Sequence, residues 1–348
     1  MKYYISEGNI EDNYNALSKA RQDTIEICNK CLFSSIKVNT LWADKSNKNK
    51  KIYRAKIYLK NYFIFRKLLN KLNSGDEVII QYPLEYSVLL FDKIIKDINK
   101  KGVKTTVIIH DIDSLRFPNI PRLKIEDKTV LKSFNKVISH NFKMSDYLMS
   151  LGVQKKNIVE LELFDYLNNS NHEKSLKNCK NNIIIAGNLT PEKARYITKL
   201  HKLINLRFLL YGIGYEKNEI DKNIEYRGAF KPNEIVNKLQ GGFGLVWDGT
   251  DIDTCNGIYG NYLKYNNPHK LSLYLASNIP VIVWKQSATA EFVLSNNIGI
   301  VVDSLFEIED KINKLSDKDY EIMLNNTKKI SQKIKNGEYL KKALNKEI

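Results

Sequence analysis

The residues best placed to do chemistry sit in Asn267-Pro268-His269-Lys270. A proline is tolerated in the first turn of a helix, because its missing N–H would be unpaired there anyway. That turn also offers free backbone N–H groups at the positive end of the helix dipole. An anion belongs at such a place, and Lys270 stands one turn in to meet it. A second signal lies at Gly187-Asn188, where a glycine after an apolar strand lets the backbone approach a pyrophosphate, with Lys193 and Arg195 following to neutralise it. An ordinary strand-to-helix turn would read the same way. Asp248, just after the strand GLVW, could bind a sugar hydroxyl or a ribose, while Asp251 and Asp253 in the same loop read as solvated acids.

A third group ends the strand VKTTVII, at the carboxyl edge where ligands bind in open α/β sheets. There His110 could hydrogen-bond a sugar or act as a base, and Asp111 could orient it or accept a proton from a hydroxyl. Arg116 could pair with Asp111 or Asp113, or reach a phosphate. The alternative is that His110-Asp111 only pins its loop to a neighbouring element.

These groups need rigid strands and helix starts behind them. In the first half KYYIS, IKVNTLW (36–42), DEVIIQYP (76–83), VKTTVII, the start of ISH (138–140) and VELELFDYL read as strands. ALSKARQDTIEICNKC, YLKNYFIFRKLLNKLN, SVLLFDKIIKDINKKG, TVLKSFNKV and NFKMSDYLMSLGV read as helices between them. Strand and helix in alternation make right-handed crossover units, and strands with almost no polar interruption belong in a parallel sheet. NNSNHEKSLKNCKNN is polar and without period, so it reads as an interdomain linker. The same rhythm resumes at IIIAGNL and runs through VIVW to a helical tail. The predicted organisation is a domain over 1–165, a linker over 166–181, a second domain over 182–330, and a last helix over 331–348.

Asn267-Pro268-His269-Lys270 followed by LSLYLASNIPVIVW resembles the nucleotide-sugar-binding segment of the C-terminal domain of GT-B glycosyltransferases. AGNL (186–189), LLYG (209–212), YRGAF (226–230), GLVWDG (244–249) and IHDIDSLR (109–116) fall in the expected order. The chain is most similar to bacterial glucosyltransferases and β-1,6-galactofuranosyltransferases that build surface glycans and glycosylate serine-rich adhesins. The resemblance implies an α/β GT-B fold, with two Rossmann-like domains whose parallel sheets face each other across a cleft, the last helix crossing back onto the first domain. It implies a UDP-sugar donor, UDP-glucose or UDP-galactofuranose, held by Gly187, Asn188, Lys193, Arg195, Tyr211, Asp248, Tyr262, Asn266, Asn267, Pro268, His269 and Lys270. Tyr211 or Phe230 would stack on uracil, core packing being the other reading. Asn15, Ser18 and Arg21, with Arg116, become candidates for touching sugar or acceptor. A helix terminus and basic side chains usually replace a metal in such enzymes, so no metal or other cofactor is expected. The acceptor would be a glycan, a lipid-linked sugar or a glycopeptide, and relatives associate as dimers or tetramers. A catalytically inactive partner of another transferase is the alternative.

Composition narrows the classes. With 43% hydrophobic residues, 348 residues can build two packed cores, which excludes a disordered protein. No apolar run reaches the roughly 18 residues of a membrane span, and MKYYISEGNIEDNYN lacks the apolar core of a signal peptide, so a cytoplasmic protein is expected. The cysteines at 28, 31, 179 and 255 are too scattered for a disulfide framework. A net charge of +16 favours anionic partners: nucleotide diphosphates and an anionic membrane face, at which the protein could lie peripherally. Nucleic acid is not expected, because no binding motif accompanies the charge. Walker, GxGxxG and GxSxG patterns are absent, which argues against kinases, NAD enzymes and serine hydrolases.

Overall fold

The computed structural model describes residues 1–7, 16–38, 50–84, 90–169, 179–217, 220 and 222–347. The chain divides into two compact units. Met1–Asp12, Arg21–Leu161 and Leu340–Ile348 form the first, and Asn13–Ala20 with Glu162–Tyr339 form the second. The change of unit thus falls at Leu161–Glu162, a little before the expected end of the first domain, and most of the expected linker lies outside the described residues.

The first unit is built on strands β1 (Lys2–Glu7), β2 (Ser34–Val38), β3 (Glu77–Tyr82), β4 (Lys104–Ile109), β5 (Lys136–Ser139) and β6 (Ile158–Glu160). They form one sheet in the order β2-β1-β3-β4-β5-β6, and every pairing is parallel. Helices cover both faces, so the central strands bury nearly every residue and read as unbroken apolar runs. The core joins Val78, Ile80, Val107 and Ile109 of the sheet to Phe65, Leu68 and Ile95 of the helices Lys50–Lys71 and Phe91–Lys100. Phe65 meets Phe91 edge-on, with ring centroids 5.6 Å apart.

The second unit repeats the plan with β7 (Asn182–Asn188), β8 (Arg207–Ile213), β9 (Ile224–Tyr226), β10 (Phe243–Val246), β11 (Val281–Trp284) and β12 (Gly299–Val302). Its order is β12-β11-β10-β7-β8-β9, again all parallel. Sequence neighbours run outward from β7 on one side and from β10 on the other, so the order reverses between them. Such a reversal opens a crevice at the carboxyl ends of the two strands. The β7–β10 ladder indeed stops after Gly244↔Ile184. Past that point the Tyr274 hydroxyl accepts from the Ala186 N–H at 2.7 Å and donates to the Leu245 carbonyl at 3.3 Å. The buried backbone groups freed by the parting strands are thereby satisfied. Gly244 is what admits the Tyr274 ring, since a Cβ there would lie 2.2 Å from it.

Several elements differ from the sequence reading. TVLKSFNKV is no single helix: the helix Pro121–Leu131 ends before it is complete, and Lys136 already opens β5. VELELFDYL pairs only as far as Glu160. The IKVNTLW strand is shorter and shifted, to Ser34–Val38, with 39–42 outside the described residues. The tail holds three helices, Glu307–Lys314, Asp317–Asn336 and Glu338–Asn345, because Gly337 takes a left-handed C-cap at φ 74° and starts a new one. The last helix is closed by Lys136, whose Nζ donates to the carbonyls of Ala343, Leu344 and Lys346 at 3.2, 2.9 and 2.6 Å.

Candidate functional site

In the second unit the groups singled out from sequence gather at the β7/β10 reversal. Gly187, one residue before the end of β7, has φ 125°, and a Cβ there would meet open space. Its carbonyl is pressed against Gly212 at the end of β8, where an added Cβ would come within 1.8 Å of it. Asp248 follows β10 and is 4% exposed. Lys270, in the helix His269–Ala276, donates to Asp248 Oδ1 at 2.8 Å and to the Trp247 carbonyl at 3.0 Å. The pair is well enclosed, with side chains 14% and 6% exposed. Burial pushes the Lys270 pKa down, with Asp248 pulling against it and the nearby Lys193 ammonium adding to the depression. Two of the ammonium's three donors are thus used and one is left over.

Asp248 is therefore the counter-ion of Lys270. Asp251 is likewise no plain loop acid: its Oδ2 takes a hydrogen bond from Lys199 at 2.6 Å, which holds its carboxyl below the usual range. By contrast, Lys193 and Arg195 pair with no carboxylate among the described residues. Lys193 lies 5.5 Å from the centre of the Tyr259 ring, and Arg195 is exposed at the start of a 3-10 segment, Arg195–Lys202. Asn188 is exposed, with Oδ1 accepting from Thr190 N at 2.9 Å, an Asx turn that shapes the bend after β7.

Pro268 stands just ahead of the helix rather than within its first turn, at the N-cap with extended φ and ψ, and no side chain caps the helix there. Asn267 is buried and donates to the Glu162 carbonyl at 2.8 Å. Asn266 Oδ1 and His269 Nε2 are shielded from solvent without a hydrogen-bond partner. Desolvation brings the His269 pKa down to about 3, the Lys19 ammonium lowering it further against a hydrogen bond to the Asp165 backbone, so this imidazole is neutral. Its ring lies 5.1 Å from that of Tyr166. Tyr262 is buried, its carbonyl accepting from Asn266 N at 3.1 Å.

Tyr211 is no open platform. It is 2% exposed, its hydroxyl accepts from Gln240 N at 3.3 Å, and its ring sits 6.3 Å from Phe230 inside the unit. Tyr226, the last residue of β9, is 46% exposed, and its ring centroid lies 5.5 Å from that of the half-buried Tyr215.

In the first unit the carboxyl-edge groups are engaged with one another. His110 is 5% exposed and its Nε2 lies 2.7 Å from Gln81 Oε1 on β3. Arg116 Nη1 reaches Asp111 at 3.2 Å and Asp113 at 3.7 Å, so it is held by the acids and not presented to a phosphate. Arg21 is 2% exposed and donates to the Pro83 carbonyl, a structural contact rather than a contact for sugar. Asn15 and the side chain of Ser18 lie outside the described residues.

Sequence reasoning missed Gln81, His140 and Tyr274 as members of these edges. His140 is 1% exposed, its Nε2 lies 3.0 Å from the Ile109 carbonyl, and desolvation lowers its pKa to about 4. A glutamine in the otherwise apolar strand EVIIQY was a readable signal that a polar partner waited opposite.

With this geometry in place, the comparisons with known proteins are specific. Residues 2–163 match the Glucosyltransferase 3-like N-terminal domain and residues 183–347 its C-terminal domain. Over 284 residues the chain is 34% identical to the β-1,6-galactofuranosyltransferase WbbI of Escherichia coli, covering 80% of each chain. It is 24% identical over 282 residues to glucosyltransferase 3 of Streptococcus parasanguinis, again with 80% of each covered. Anabaena HepE, solved in complex with UDP, superposes with a TM-score of 0.57 at 11% identity, covering 98% of this chain and all (100%) of that one. The two parallel-sheet units are those of a GT-B fold, and the chain belongs to the Glucosyltransferase 3-like family of glycosyltransferases.

Proposed function

We propose that this chain transfers a hexose, glucose or galactofuranose, from its UDP-sugar to a glycan, lipid-linked or glycopeptide acceptor in cell-surface glycan or adhesin synthesis. The observation that carries the reading is the cationic edge at the β7/β10 reversal: Lys270 fixed by Asp248, with Lys193 and Arg195 unpaired beside the strand that carries Gly187. As the sugar leaves, negative charge grows on the diphosphate. Cations already fixed in a shielded place stabilise that growth more than they stabilise the resting donor. Asp248 keeps the Lys270 ammonium protonated and aimed despite burial, and the remaining N–H is free for a phosphate oxygen. Asn266 Oδ1 and the neutral His269 Nε2 are acceptors suited to donor hydroxyls or the uracil N–H. Tyr226, in place of Tyr211, is the ring open to a base.

No metal enters this reading, since Asp248 and Asp251 are each neutralised by a lysine. On the first unit, His110 and Asp111 are assigned to the acceptor side. Association as a dimer or tetramer and peripheral placement at an anionic membrane face complete the proposal, and no helix among the described residues is long and apolar enough to cross a membrane. UDP and the true donor should raise the melting temperature by mass action, with ADP and GDP giving little shift. A melting temperature indifferent to UDP would overturn the reading.

A further inference from the structure

The helix Lys50–Lys71 carries no Asp or Glu in 22 residues. One side of it is core: Ile57, Asn61, Phe65, Leu68 and Leu69 are buried. The other side is unusual for a helix on a soluble α/β unit. Ile52, Leu59 and Phe63 are 57%, 52% and 66% exposed, at i, i+7 and i+11 on one face. Lys56, Lys60 and Lys67 stand exposed between and beside them, and none pairs with a carboxylate among the described residues. Arg66 extends the row, reaching Asp97 only at 4.0 Å. Arg122 of the helix Pro121–Leu131 is in electrostatic reach of Tyr58, and that helix exposes Ile125 at 66%.

We infer that this face is a docking surface for an anionic lipid bilayer, with Ile52, Leu59 and Phe63 entering the headgroup and acyl boundary while the lysines meet the lipid phosphates. An apolar stripe flanked by cations is what an interfacial helix needs, and each cation near an anionic leaflet strengthens binding. A second copy of the same face is a poor partner, because it would set like charges against each other with no acid to relieve them. The inference deepens the peripheral-association part of the proposed function, and it is independent of donor chemistry because the surface belongs wholly to the first unit.

The test is co-sedimentation of the full chain with vesicles of phosphatidylcholine alone or mixed with phosphatidylglycerol, without nucleotide sugar. The chain should pellet with the anionic vesicles only, and less as salt rises. The substitutions Lys56→Gln, Lys60→Gln and Lys67→Gln together should weaken that partition by about 100-fold. Leu59→Ser with Phe63→Ser, also at exposed positions, should weaken it at unchanged net charge. UDP binding by both variants should match the parent chain, which separates failure of this surface from failure of the transferase reading. Equal pelleting with neutral vesicles, undiminished pelleting of both variants, or a change only in self-association on sedimentation velocity would each overturn the inference.

Discussion

The carboxyl edges of the two sheets differ in strand order, β2-β1-β3-β4-β5-β6 against β12-β11-β10-β7-β8-β9, and in how their polar groups are paired. On the first, the prominent groups answer one another: His110 meets Gln81, and Arg116 meets Asp111 and Asp113. On the second, the buried pair Lys270–Asp248 lies in electrostatic reach of Lys193, and Asn266 Oδ1 and His269 Nε2 are buried without a hydrogen-bond partner. Buried polar atoms without partners are costly, at about 1–3 kcal/mol each. Both are acceptors, so they suit the hydroxyl and N–H donors of a ligand rather than its anionic oxygens. The contrast is the ground on which donor binding is proposed for the second unit and the acceptor for the first.

The largest expected effect comes from breaking the buried pair Lys270–Asp248. Lys270→Ala strands the Asp248 carboxylate in a buried place and should cost about 3–5 kcal/mol of stability. Lys270→Met with Asp248→Asn should recover most of that loss while still weakening UDP binding. A Lys270→Ala protein that melts like the parent would show that the pair is not buried in solution.

Acid should act on both units, because each encloses one neutral imidazole, His140 at about 4 and His269 at about 3. The unfolded chain takes up a proton near pH 6.5 and these folded sites refuse it, so the unfolded state binds more protons and stability falls as pH drops. Each group should contribute a slope of about 1.4 kcal/mol per pH unit, beginning near pH 6.5 and flattening below its folded value. His140→Asn should remove the share of the first unit alone, measured as melting temperature against pH.

A smaller effect sharpens the division of labour. His110→Asn should lower turnover by about 100-fold with UDP affinity intact. A fall in UDP affinity would move His110 to the donor side and erase the contrast. Smallest of all, Tyr226→Ala should weaken UDP binding by about 1–2 kcal/mol if the exposed ring holds the base, whereas Phe230→Leu should not.

Much of the fold was legible because parallel strands buried on both faces announce themselves, as in VIVW and DEVII. The edge proposed here for the donor was legible only as residue types at strand ends and a helix start, since Gly187, Asp248 and Lys270 each carry a local reason for their place. The pairing of Lys270 with Asp248 was not, because it joins residues 22 apart through the meeting of β10 and a helix. Tyr211 and Tyr226 were equally invisible as buried and exposed, since an aromatic near a strand end reads alike on either face. TVLKSFNKV looked helical because strand and helix cannot be told apart over so short an apolar run. Gln81 could have been noticed, being a lone amide in an apolar strand.

The central claim is that the unpaired cations of the second unit bind the diphosphate. Calorimetric titration of UDP into the parent chain and into the Lys193→Ala, Arg195→Ala double variant tests it directly, at positions where neither side chain forms an ion pair within 4 Å among the described residues. Affinity should fall by about 100-fold or more at an unchanged melting temperature, and equal affinity in the two proteins would contradict the account.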